Sequence, residues 1–317
     1  MQKKIFLSRR IPRAGMDLLK TSGFLTDIHE HDDPLPPKAL RERVKDVHGL
    51  ICLLDDRIDR SLMDAAPKLE VISNSAVGFN NIDIDHARSR NIAVCNPRHP
   101  DRNHGRTRLG PAFCRSAPHP GIRCLCAGRK IHGWKPMLML GSDIHDKALG
   151  VIGTGRIGTA FALRSKGFNM RILYSGKPNP VLDRELGAEN VGLETLLRES
   201  DFISLHIPMR KSNYHLLGKK EFSMMKDSAC LINTARGPVV DEAALVEALR
   251  AREIAGAGLD VYEHEPELTP GLKALTNVVL TPHTGSASTS TRDAMATMAV
   301  ENCLNVLRGE KCGNRVV

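Results

Sequence analysis

The stretch that most constrains this chain is Ala148–Phe161, ALGVIGTGRIGTAF. Its apolar run, Leu149–Ile152, has the length and character of a strand buried on both faces of a parallel sheet. Gly153, Gly155 and Gly158 follow at G-x-G-x-x-G spacing, and an Ala/Leu-rich segment of helical character comes next. The three glycines answer three needs: a tight turn, close approach of the backbone to a pyrophosphate, and close packing of helix on strand. Free amides at the helix start then face the negative charge. Glycine triplets are common in loops, so the spacing alone says little. The strand before it and the helix after it supply the context that gives it meaning.

At 317 residues the chain has room for two domains, each with its own core. A 41% hydrophobic and 26% charged composition suits a globular protein, and no apolar run reaches membrane-span length. The start, MQKKIFLSRRIPRAG, has too short an apolar run for a signal peptide and reads as a strand, Lys4–Leu7, entering a helix. Eight scattered cysteines point to a reduced, cytoplasmic setting, and Cys124 and Cys126 lack a second pair at zinc spacing, so no metal site is expected. The formal charge of +9 would raise nucleic acid as a partner, but its distribution argues against that. Between Arg98 and Lys130 stand seven Arg and one Lys against a single acid, Asp101. The remainder of the chain is close to neutral.

Residues 1–97 alternate apolar runs, at Gly49–Leu54, Val71–Ser73 and Ile92–Cys95, with helix-like segments, which implies a small α/β layer structure. After Val71–Ser73 comes the small-residue loop from Ser75 to Asp83. Such a loop at the carboxyl end of a strand is either a ligand loop or a plain turn held by Gly78 and two Asn. From 98 to 130 the pattern fails: no period, four Pro, four Gly and almost no acid, which alone reads as a loop or a disordered basic arm. Order returns at Ile131–Trp134. Arg171–Ser175 then reads as the second strand of the nucleotide-binding unit. An NAD enzyme would place Asp or Glu at its end to bond the ribose 2′-hydroxyl. Gly176 and Lys177 stand there instead, a cleared space and a cation, which point to NADP(H), with NAD(H) as the second possibility.

Three later apolar runs end in polar residues: Cys230–Asn233 before Thr234-Ala235-Arg236-Gly237, Ala255–Val261 before Tyr262-Glu263-His264-Glu265-Pro266, and Val278–Thr281 before Pro282-His283-Thr284-Gly285. In an open parallel sheet those ends face one crevice, so Arg236, Glu265 and His283 converge. Singly, each has an ordinary reading as surface charge, cap or loop histidine. Together they suit reduction of a 2-oxo acid. Arg236 can hold the carboxylate and polarise the carbonyl, His283 can give the proton, and Glu265 can orient and charge the imidazole. Glu263 takes a lesser part, because Glu265 directly precedes the proline.

With GVIGTGRIG, LINTARGPVVDEAAL, AGAGLDVYEHEP, NVVLTPHTGSAS and AVGFNNID in place, the chain resembles the D-isomer-specific 2-hydroxyacid dehydrogenases, and within them the glyoxylate/hydroxypyruvate reductases. The resemblance implies an α/β fold of two doubly wound parallel-sheet domains with a cleft between them. One is a Rossmann dinucleotide-binding domain over 98–286; the other is a smaller flavodoxin-like substrate domain over 1–97 and 287–317. It implies that Arg236, Glu265 and His283 are catalytic, and that Val77 and Gly78 offer backbone amides to the substrate. Gly153, Thr154, Gly155, Arg156, Ile157 and Gly158 would meet the pyrophosphate, Gly176 and Lys177 the 2′-phosphate, and Thr234, Ala235, Asp260 and Gly285 the nicotinamide side. Expected partners are a small 2-oxo or 2-hydroxy acid and a second copy of the chain, with neither nucleic acid nor membrane. The family also includes corepressors that use NAD(H) to control assembly, so a cofactor-sensing binding module is the alternative.

The departure lies at 98–130, where the family has a long apolar helix that contacts cofactor and builds the dimer. Shifting the codons for Arg98–Cys114 by one base permits GILTETTAELALALLFA, an Ala/Leu-rich helix of the missing kind. The sequence therefore predicts a frame-shifted stretch and a catalytically impaired, aggregating product, while a frame-restored chain would be a stable, active dimer. Sequencing the gene between codons 97 and 131 and sizing both forms checks this. An unbroken frame in a soluble, active dimer would contradict it.

Overall fold

The computed structural model describes residues 2–97 and 141–317, so the basic tract, Cys124 and Cys126, and Ile131–Trp134 lie outside the described residues. The chain divides into two compact units, Met1–Pro100 with Ser288–Val317, and Asp101–Ala287.

The first unit alternates strand and helix: β1 (Lys4–Leu7), α1 (Arg13–Lys20), β2 (Leu25–Ile28), α2 (Pro37–Arg43), β3 (Gly49–Cys52), α3 (Arg60–Asp64), β4 (Val71–Asn74), α4 (Ile84–Ser89) and β5 (Ala93–Cys95). Its sheet runs β2-β1-β3-β4-β5, every pair parallel, which is the flavodoxin-like strand order. β3, β4 and β5 are buried along their whole length, as strands covered on both faces must be; β3 and β5 are apolar throughout, while β4 ends in the buried polar pair Ser73 and Asn74. Helices α3 and α4 start at side-chain caps, whereas α1 and α2 follow Pro12 and Pro36 without one. Asp59 accepts from the Leu62 amide and Asp83 from the His86 amide, each cap contributing about 1 kcal/mol.

The second unit holds β6 (Ala148–Ile152), α5 (Arg156–Arg164), β7 (Arg171–Ser175), α6 (Pro180–Leu186), β8 (Glu189–Asn190), α7 (Leu193–Glu199), β9 (Phe202–Leu205), α8 (Lys219–Phe222), β10 (Cys230–Asn233), α9 (Glu242–Ala251), β11 (Gly256–Leu259) and β12 (Val278–Leu280). The seven strands are parallel in the order β12-β11-β10-β9-β6-β7-β8. Strand order reverses between β6 and β9, so the crevice of this sheet opens beyond the carboxyl end of β6, where the glycine loop begins.

The chain then returns to the first unit as α10 (Thr289–Leu307), capped by Ser288 on the Thr291 amide. Ala299, Val300, Cys303 and Leu304 pack with Ile5, Leu7, Ile51 and Val71 of the sheet in one core. A buried hydrogen bond from Ser73 Oγ to the Ala299 carbonyl, 2.7 Å, fixes the helix on β4. The C-terminal tail covers the open edge of β5: the Val94 amide donates to the Val317 carbonyl at 3.1 Å and Val316 donates back to Val94 at 2.7 Å.

Strand β6 and helix α5 meet at Gly158, where an added Cβ would lie 2.0 Å from the Gly153 carbonyl oxygen. That neighbour is backbone and has no rotamer to retreat into. Gly158→Ala is expected to destabilise the chain by about 3 kcal/mol, the upper part of the overpacking range. Denaturant unfolding measures it, and a loss below about 0.5 kcal/mol would contradict the close packing described.

Candidate active site

The glycine loop has the three-part geometry its spacing implies. Gly153 sits at φ 96°, a left-handed turn that a side chain would block against His206 and Ile207. Gly155, the N-cap of α5, has open space on its Cβ side with nothing within 4 Å. The Thr154 hydroxyl donates to the Lys177 carbonyl at 3.0 Å, tying the glycine loop to the end of β7. Asn179 Nδ2 donates to the Thr154 carbonyl at 3.2 Å and holds the same junction from the other side. Among the described residues no carboxylate lies within ion-pair distance of Lys177, which is exposed. Gly176 has φ 148°, so it is conformationally a glycine position as well as an open one. Arg156 and Ile157 open α5, with Arg156 exposed and Ile157 half-buried.

The carboxyl ends of β10, β11 and β12 carry the polar set. Asp260, 2% exposed, organises it. Its Oδ1 accepts from Thr281 Oγ1 at 2.5 Å, the Thr284 amide at 2.7 Å and the Thr284 hydroxyl at 3.2 Å. Its Oδ2 accepts from the Gly285 amide at 2.7 Å. The Asp260 carbonyl in turn accepts from the His283 amide at 2.9 Å. His283 is held at φ 51°, a costly conformation for a non-glycine residue that the surrounding bonds impose.

In that conformation His283 Nδ1 lies 2.9 Å from Glu265 Oε2. The other oxygen of Glu265 accepts from the Tyr262 amide at 3.0 Å, so the carboxylate is fixed at both ends. Burial alone would raise the Glu265 carboxyl; His283, the Tyr262 amide and the Arg236 charge outweigh it and hold it below the ordinary carboxylate range. Arg236 is pulled the opposite way: burial lowers its guanidinium from the usual value, and Glu265 opposes that. Arg236 Nη1 donates to the Ala235 carbonyl at 2.6 Å, and Asn233 spans the turn, donating to the Arg236 carbonyl and accepting from the Ala235 amide, both at 3.0 Å. Tyr262 donates its hydroxyl to the Thr281 carbonyl at 2.9 Å, and burial, with Asp260, Glu242 and Glu265 nearby, pushes it up to about 12.

Glu263 is occupied elsewhere. It accepts from His215 Nε2 at 2.6 Å and from the Tyr214 hydroxyl at 3.2 Å, while Tyr214 stacks on His215 at 3.9 Å. These partners lie nearly fifty residues away in sequence, and no local signal announces them. The four bonds on Asp260 come from residues 21 to 25 positions further on and are equally unannounced. Thr234 Oγ1 is buried without a hydrogen-bond partner among the described residues, a polar atom left for something outside the protein. That orphan, the open side of Gly155 and the absence of an acid at the end of β7 fit a nicotinamide dinucleotide. Val77 and Gly78 belong to the first unit, in the loop after β4, with Val77 exposed.

The family model for the D-isomer specific 2-hydroxyacid dehydrogenase NAD binding domain matches residues 123–285. The glyoxylate reductase of Pyrococcus horikoshii is 44% identical, the match covering 98% of this chain and 94% of that one. The glyoxylate reductase of Thermococcus litoralis is 41% identical over 98% of this chain and 95% of its own. The crystal structure of the NADPH-dependent glyoxylate/hydroxypyruvate reductase of Sinorhizobium meliloti, in complex with NADP and malonate, superposes with a TM-score of 0.88 at 30% identity, covering 100% of this chain and 97% of that one. Among the described residues no helix is long and apolar enough to cross a membrane. Two parallel-sheet units, a glycine loop at the switch point of one and matches running almost end to end place the chain in the D-isomer specific 2-hydroxyacid dehydrogenase family, as an NAD(P)-dependent oxidoreductase.

Proposed function

We propose that this protein reduces glyoxylate or hydroxypyruvate to the 2-hydroxy acid with NADPH, His283 giving the proton. The observation that carries the reading is the His283–Glu265 pair, 2.9 Å apart and fixed on a loop that Asp260 holds. The named relatives that reduce glyoxylate support the substrate class, and the NADP-bound neighbour supports the cofactor.

Gly153 to Gly158 would hold the pyrophosphate, Thr234 and its neighbours the nicotinamide side, and Lys177 the 2′-phosphate. The bound cofactor supplies the hydride. Arg236 holds the substrate carboxylate with its fork of donors and draws charge onto the carbonyl. Glu265 engages His283 Nδ1, so Nε2 is the atom that passes a proton to the carbonyl oxygen, leaving a neutral imidazole that solvent recharges. Val77 and Gly78 would offer amides to the same carboxylate. The described cysteines, Cys52, Cys95, Cys230, Cys303 and Cys312, are all free thiols, which supports a reduced, cytoplasmic setting.

His283→Ala should lower kcat by about 100- to 10,000-fold. Arg236→Ala should abolish reduction while the NADPH Kd stays near that of the parent. Glu265→Gln should lower kcat, because the carboxylate that fixes His283 at Nδ1 is gone. The depressed Glu265 carboxyl keeps its stabilising contribution above the ordinary glutamate value and loses it only as pH falls through its own, lower one. Steady-state kinetics reads the variants, and acid unfolding of the parent against Glu265→Gln reads the carboxyl. Near-parental turnover in His283→Ala would remove it as the donor, and NADPH binding with no turnover of either 2-oxo acid by the parent would favour the cofactor-sensing module.

Lys177 sets cofactor choice in this reading. An acid introduced at Gly176, with φ 148°, would strain the backbone as well as change charge, so Lys177 is the cleaner position. Lys177→Ala should weaken NADPH by about tenfold, the effect of losing about 1.4 kcal/mol, and leave NADH unchanged. Fluorescence titration measures both. Equal affinities for the two cofactors in the parent would contradict the assignment.

A further inference from the structure

The loop after β4 carries two carbonyls that are gripped from behind. Asn96 Nδ2 donates to the Val77 carbonyl and Asn74 Nδ2 to the Gly78 carbonyl, each at 2.6 Å. Both asparagines are buried, Asn74 fully and Asn96 to within 4%. Each is held in turn. The Asn96 backbone amide donates to the Asn314 carbonyl at 3.3 Å, which fixes the residue through its main chain. Asn74 Nδ2 also reaches Asn81 Oδ1 at 3.2 Å, and Asn81 donates to the Leu53 and Asp56 carbonyls at 2.9 and 3.0 Å. Among the described residues the backbone amides of Val77, Gly78 and Phe79 have no protein acceptor.

A trans peptide is planar, with its C=O and N–H pointing in opposite directions. The Val77 carbonyl and the Gly78 amide share one plane, and the Gly78 carbonyl and the Phe79 amide share the next. Gripping the two carbonyls therefore aims the two amides away from the core, and it does so around a glycine, the residue otherwise freest to flip. Amides fixed before an anion arrives need no reorganisation to bind it.

Resting on the proposed reading of this loop as a carboxylate site, we propose that Asn96 and Asn74 are positioning residues that aim the Gly78 amide of that reading, and with it the Phe79 amide rather than that of Val77, at the carboxylate of the 2-oxo acid. The two act through the loop backbone and not on the substrate directly. Their loss is thus expected in substrate affinity and not in cofactor affinity.

The test uses the full chain with NADPH, oxamate as the 2-oxo acid probe, and Asn96→Asp, which keeps the shape and loses the donor. Asn96→Ala accompanies it in case the buried carboxylate prevents folding. Oxamate affinity by calorimetry should fall about tenfold in the variant, with the NADPH Kd within about twofold of the parent, and with the KM for glyoxylate raised more than kcat is lowered. In the parent, oxamate should shift the Gly78 and Phe79 amide resonances, and in the variant that response should shrink. Parental oxamate affinity in both variants, with the amide response intact, overturns the clamp. Oxamate binding that leaves those amide signals unmoved in the parent overturns the carboxylate reading of the loop itself.

Discussion

The carboxylate of Asp260 is the constraint on which the polar end of the second unit depends. A buried charge is costly unless its lone pairs are filled, and here two backbone amides and two hydroxyls fill them. Each hydrogen bond to a charged acceptor is worth about 1.5–3 kcal/mol, enough together to set the path of the 281–285 loop against its own strain at His283. The loop then delivers His283 to Glu265, and the Tyr262 amide secures the far side of that carboxylate. Arg236 enters from a separate strand end, where Asn233 fixes the turn. Three side chains from three strands thus depend on sheet register, and register depends on strands buried on both faces.

Charge in this region is balanced locally. Burial raises the Glu265 carboxyl and lowers the Arg236 guanidinium, and the attraction between the two opposes burial at both. Glu263, two residues from Glu265, is committed to His215 and Tyr214 and pins the segment between them. One glutamate anchors the segment while its neighbour faces the histidine.

Much of this was legible in the residue pattern, and what was not has identifiable causes. β1, β7 and β10 have the bounds that their apolar runs suggest, and β6 begins one residue earlier than its run, at Ala148, because strands covered on both faces read as continuous hydrophobic stretches. β2 escapes such a reading: Leu25–Ile28 is an edge strand, half-exposed and polar at two of four positions. β9, beside β6 in the middle of the sheet, hides because Ser204 interrupts its run, its hydroxyl paired with His206 at 2.9 Å. β8 is two residues long and has no pattern at all. Glu265 and His283 were nameable from their strand-end positions, and the structure brings them together. The anchoring of the loop by Asp260 and of Glu263 by His215 was not, since both rest on contacts between residues far apart in the chain. The twin asparagines behind Val77 and Gly78 were equally silent, one at the end of β4 and the other just beyond β5.

In the proposed reaction a hydride passes from NADPH to the carbonyl carbon of a 2-oxo acid while His283 protonates the oxygen. Reaction of hydroxypyruvate with NADPH carrying deuterium at the transferred C4 position, followed by NMR of the product, tests it most directly. Glycerate of D configuration labelled at C2 is the expected product, with no such product from His283→Ala on the same timescale. Unlabelled glycerate, or NADPH bound without label transfer by the parent chain, would contradict it.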